Sequence, residues 1–141
     1  MSQYPVTPLP SPRTLTRHLT MELVTPDAGV PIDTTVRYSS RDPHALSVAF
    51  HLLGRSPVVW CLDREMVVTG SHTPTGAGEV HLSAAPDGDL LIRLGRTGQC
   101  ATVRCDRDRL ARLVRETFLL VPQGTEEHHI DWQPLLASLR R

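Results

Sequence analysis

From Leu15 to Cys105 the chain repeats one pattern, apolar side chains at every second position in short runs that end at glycine, proline or a charged turn. The runs are Leu15, Leu19, Met21 and Leu23; Ile32, Thr34, Val36 and Tyr38; Leu46, Val48, Phe50 and Leu52; and Val58, Trp60 and Leu62. Val80, Leu82 and Ala84 follow, then Leu90, Ile92 and Leu94, then Ala101, Val103 and Cys105. Alternation of this kind lines one face of a pleated strand with apolar groups, so it predicts seven strands with one buried face. Asp-Gly at Asp87 and Gly88 is a strong hairpin signal between the fifth and sixth.

After Cys105 the period changes. Leu110, Leu113, Val114, Thr117, Phe118 and Val121 recur at helical spacing behind Asp106, a good N-cap, and Pro122 and Gly124 end the run. Asp131 is expected to cap a second short helix with Trp132, Leu135, Leu136 and Leu139 facing inward. A further one or two helical turns are expected over Asp63 to Val68, with Asp63 as N-cap and Gly70 as stop. The fold class is therefore α+β: an antiparallel, curved seven-stranded sheet with a long helix packed on it and a short C-terminal helix. Such a sheet has edges, and oligomerisation through edges or helices is the expected cover.

Residues 1–14 hold four prolines and no periodic apolar pattern, which predicts a flexible proline-rich tail ahead of a single domain over 15–141. No run is apolar enough to span a bilayer, and no secretory signal is legible, so the expectation is a cytoplasmic protein. Cys61, Cys100 and Cys105 sit in strand-like apolar surroundings and are expected to be small buried thiols, not a disulfide framework.

Charge is balanced at fifteen basic and fifteen acidic residues, with no overall positive field for phosphate backbones. Every basic residue other than histidine is arginine. The absence of lysine excludes a Walker A motif and Schiff-base chemistry. The glycine-rich stretch Gly70 to Leu82 has no third glycine at dinucleotide-loop spacing and runs into a strand pattern, so it reads as a turn and not a phosphate cradle. The cluster Glu126 to Asp131 lacks any zinc-site spacing and reads as a loop before the last helix. No cofactor, metal or catalytic residue is nominated. Arg104, Arg107, Arg109, Arg112 and Arg115 cluster at the start and along the outer face of the long helix, diluted by Asp106, Asp108 and Glu116. They leave a single-stranded nucleic-acid module as the alternative function, although aromatic stacking groups are scarce.

Three separated blocks carry a resemblance. Trp60, Arg64, Glu65, Met66, Val67, Gly70, His72, Pro74, Thr75, Gly76, Gly78, Glu79 and Val80 form the first, within Val58 to Leu82. Val121 to Asp131, with Val-Pro-x-Gly-Thr-Glu, forms the second, and Val36 to Phe50, with Arg-Tyr and Asp-Pro, the third. In this order, over about residues 15–140, they resemble the SsgA-like proteins, actinobacterial regulators of sporulation and cell division. The resemblance implies a non-enzymatic role in placing septa, recruitment of the division GTPase FtsZ by one branch, a trimeric assembly, and a fold similar to Whirly and guide-RNA-binding proteins. The neutral charge departs from the acidic character of the family. A partner surface is expected on the exposed edge of the glycine turn, with Arg64, Glu65 and His72, and along Arg107, Arg112 and Arg115.

Overall fold

The computed structural model describes residue 9 and residues 11–139. Most of the expected proline-rich tail, residues 1–8 and 10, lies outside the described residues.

Eight antiparallel strands form one sheet: β1 (Thr14–Val24), β2 (Gly29–Ser39), β3 (Asp42–His51), β4 (Val58–Asp63), β5 (Thr75–Ala77), β6 (Val80–Ala84), β7 (Leu90–Arg96) and β8 (Gln99–Cys105). Helix α1 (Arg64–Gly70) joins the two runs of four strands, and α2 (Arg107–Leu120) follows the second. A short 3₁₀ turn (Glu126–His129) and α3 (Gln133–Leu139) complete the chain. The sheet order is β4-β3-β2-β1-β8-β7-β6-β5, two meanders laid back to back. Their seam is short, because β1 meets β8 only at Glu22 with Arg104 and Leu23 with Val103. The sheet curls: Trp60 of β4 lines a cleft with Leu94 of β7 and Cys100 of β8, from the far half.

The alternating residues form one core. Tyr38, Leu46, Val48, Leu62, Leu82, Leu90 and Ile92 are each at most 1% exposed, and α2 adds Leu110, Leu113, Val114 and Thr117. Asp106 caps α2 as its sequence suggests, accepting from the backbone N–H groups of Asp108 and Arg109. The predicted turns at Asp87-Gly88 and at Asp63 are present, the latter as the N-cap of α1.

Three expectations need correction. The strand count is eight, because the glycine stretch pairs with β6 through Thr75, Gly76 and Ala77. Three residues containing a glycine show no alternation, and the turn that folds them back is carried by Gly78 at φ +60°. The apolar side of α3 does not face inward. Trp132 is 47% exposed and Leu139 71%, with Leu135 and Leu136 between them on the same stripe. A helical period reports an apolar face, and nothing among the described residues covers it. Asp131 stands one residue ahead of the cap position, which Trp132 occupies, and accepts from the Gln133 N–H at 3.1 Å. Finally, only Cys105 is a buried thiol. Burial pushes its pKa up to about 12. Cys61 and Cys100 lie on exposed positions of β4 and β8. Both alternate with inward residues and so point away from the core.

Candidate partner-binding surface

The surface is built around α1, which Asp63 starts by accepting from the N–H groups of Glu65 at 2.8 Å and Met66 at 3.3 Å. The first helical residue, Arg64, therefore turns under the helix and not out to solvent. Its side chain is 0% exposed. Nη1 donates to the Thr117 carbonyl at 3.1 Å, and Nη2 to Glu126 Oε1 at 3.0 Å. The guanidinium stacks on Phe118, 4.1 Å from the ring centroid, with Tyr38 at 5.5 Å on the sheet side. Nε has no hydrogen-bond partner among the described residues. The expectation that Arg64 belongs to an exposed partner edge is thus corrected: it is a buried strut, and Glu65, Val68 and Thr69 are what α1 exposes.

Glu126 completes the strut. Its Oε2 accepts from the Gly124 N–H at 2.8 Å, which fixes the loop after α2. Its own backbone N–H, then the Arg64 guanidinium and the Gly124 N–H, hold its carboxyl below the usual carboxylate range. Tyr38 donates its hydroxyl to the Pro43 carbonyl at 2.9 Å, and burial raises its pKa to about 12. One buried guanidinium thus ties the sheet, both main helices and the 3₁₀ turn together. Sequence reasoning missed this because Arg64 and Glu126 are 62 positions apart. The signal available was that each sits in a different motif block.

Above the strut, α1 and α2 leave a cleft of about 240 Å³. Val67, Val68, Ala111, Val114 and Phe118 make its walls apolar, and His72 and Arg115 stand on its rim. Phe118 has two roles here, stacking on Arg64 and lining the cleft. Arg107 ties the start of α2 to the end of α1 by donating to the Ser71 carbonyl at 3.4 Å. Glu65 is exposed and accepts from Gln123 Nε2 at 3.2 Å. Of the expected residues, the fold gathers His72, Arg107 and Arg115 on the α1 side of α2. It separates Arg112, which lies on the opposite flank with Arg17 and Arg109. Among the described residues no cluster of histidine, cysteine and carboxylate could hold a metal. Among the same residues no helix is long and apolar enough to cross a membrane.

The three motif blocks therefore meet at one point, Tyr38, Arg64 and Glu126. The family model described as Streptomyces sporulation and cell division protein SsgA matches residues 32–126, a span that contains all three. The chain belongs to the SsgA family. Among relatives in this family, the sporulation-specific cell division protein SsgB of Salinispora tropica is 35% identical over 85% of this chain and 88% of its own. The SsgB of Streptomyces coelicolor is 29% identical over 83% and 88%. A crystal structure of the SsgA-like sporulation-specific cell division protein from Thermobifida fusca superposes with a TM-score of 0.82 at 30% identity, covering 92% of this chain and 98% of that one. An SsgB structure, described with mutations that correlate to longitudinal cell division during sporulation of Streptomyces coelicolor, gives 0.77 at 27% identity, covering 84% and 97%.

Proposed function

We propose that this SsgA-family chain is a non-enzymatic regulator of sporulation-specific cell division that promotes septum assembly by recruiting the division GTPase FtsZ. It acts in the cytoplasm at the septum as a homo-oligomer, a trimer in the family's manner. Its contact face is the α1–α2 cleft. The observation that carries this reading is an apolar cleft held rigid from below by the Arg64 strut and rimmed by His72 and Arg115. An apolar pocket with a few charged groups at its edge suits an anchoring side chain from a protein partner. Arg107 and Glu65 frame the same side and complete the candidate set.

The test is co-sedimentation of the purified protein with FtsZ polymers from the same organism, with and without GTP. Saturable pelleting that requires polymer is expected, as is its loss in Val68→Asp and its weakening in Arg115→Glu. A folded protein that stays in the supernatant at all polymer concentrations would refute direct recruitment.

A further inference from the structure

Strand β1 is eleven residues long, and β2 pairs with it from Thr14 to Val24. On its other edge β8 offers pairs only at Glu22 and Leu23. Past Cys105 the chain has left the sheet for α2, so among the described residues no strand lies along that edge from Thr14 to Thr20. Alternate backbone N–H and C=O groups point sideways from any strand, and an edge without a neighbour is a template for one.

Beside this edge runs a cleft of about 320 Å³ between β1 and α2. Arg17, His18, Arg109 and Arg112 line it, with Glu116 the sole carboxylate and Leu19 and Leu113 the apolar contribution. Glu116 is engaged by Arg17 Nη2 at 2.6 Å, and Arg17 Nη1 donates to the Thr16 carbonyl at 2.9 Å. Among the described residues Arg109 and Arg112 have no carboxylate partner, so the lining carries a surplus of positive charge.

We propose that this edge binds an extended, acidic peptide segment of a partner protein. The segment's main chain adds to Thr14–Thr20 as a further strand, and its carboxylates engage Arg109 and Arg112 through charge-assisted hydrogen bonds. Arg17 exchanges Glu116 for an incoming carboxylate. A peptide backbone matches the row of amides and carbonyls along this edge, of which the Thr16 carbonyl is freed when Arg17 turns to the incoming carboxylate; a nucleic-acid strand does not match it. The lining also has no phenylalanine, tyrosine or tryptophan on which bases could stack. A second copy presenting the same edge would set these arginines against themselves. The proposal is independent of FtsZ recruitment, because the cleft for that reading lies on the other flank of α2.

The experiment titrates an octapeptide of alternating aspartate and valine into isotope-labelled full-length protein at low salt, following backbone amides by NMR. Saturable shifts at Thr14–Thr20 are expected, with no response to the lysine–valine counterpart. Arg109→Gln/Arg112→Gln is expected to weaken binding about tenfold through loss of two charge contacts. Glu116→Gln is expected to strengthen it, since Arg17 is released. Two N-methylated copies, methylated on the aspartates or on the valines, test the strand geometry on the native protein: one of them must lose binding. Retention by both, unmoved amides at Thr14–Thr20, or tighter binding of an eight-residue thymidine oligonucleotide would each overturn the proposal.

Discussion

On one flank of α2, Arg64 meets Glu126 with both side chains sealed from water, at 0% and 7% exposure. On the other, Arg17 meets Glu116 in the open, at 47% and 31%. Both are arginine–carboxylate pairs at 3.0 Å or less. They differ in what surrounds them. The buried guanidinium has two aromatic rings, the carbonyl and hydroxyl of Thr117 and a carboxylate around it, and water cannot replace any that is removed. The open pair has water as a substitute partner for each group. The first therefore holds structure and the second is free to exchange partners.

The largest break in that comparison comes from Arg64→Leu, which strands the Glu126 carboxylate in the interior. A loss of about 3–5 kcal/mol in urea unfolding is expected. The double variant Arg64→Leu/Glu126→Leu sharpens the point by recovering most of that loss, because two apolar side chains need no compensation. Packing around the strut gives the next effect. A Cβ added at Gly70 meets the Leu82 Cβ at 2.6 Å, so Gly70→Ala is expected to cost about 1–3 kcal/mol through overpacking.

Acidity separates the pairs more gently. Since folding lowers the Glu126 pKa from its ordinary 4.5, the stability it lends is present above that value and is lost as pH falls through the lowered one. Urea midpoints measured downward from pH 5 should fall more steeply in the native protein than in Glu126→Gln. The smallest effect belongs to the open pair: Glu116→Gln is expected to change stability by no more than about 1 kcal/mol.

Much of the fold was legible because it rests on local periodicity. Seven of the eight strands, the long helix behind Asp106 and the capped turn behind Asp63 follow from spacing and capping chemistry. Strand β5 was not, since Thr75-Gly76-Ala77 is too short to alternate and acquires its state from β6. The exposed stripe of α3 was misjudged because period shows an apolar face without showing its cover. The candidate surface was legible in half. His72, Arg107 and Arg115 converge, and Arg112 lies apart, because a helix of fourteen residues turns its arginines to opposite flanks. Arg64 beside Glu65 reads as a solvated pair. Only the N-cap geometry at Asp63, which sends the next side chain inward, reveals otherwise.

The distance along the chain between Tyr38, Arg64 and Glu126 bears on how the protein is made. Synthesis runs from the N-terminus, so the strands and both main helices precede Glu126, and the guanidinium waits for its counter-ion while 62 further positions are added. A product cut short before Gly124 contains all eight described strands yet lacks the carboxylate that compensates the buried Arg64. The buried pair thus makes the interior of the first motif block depend on a residue of the second, so that neither block is electrostatically complete alone.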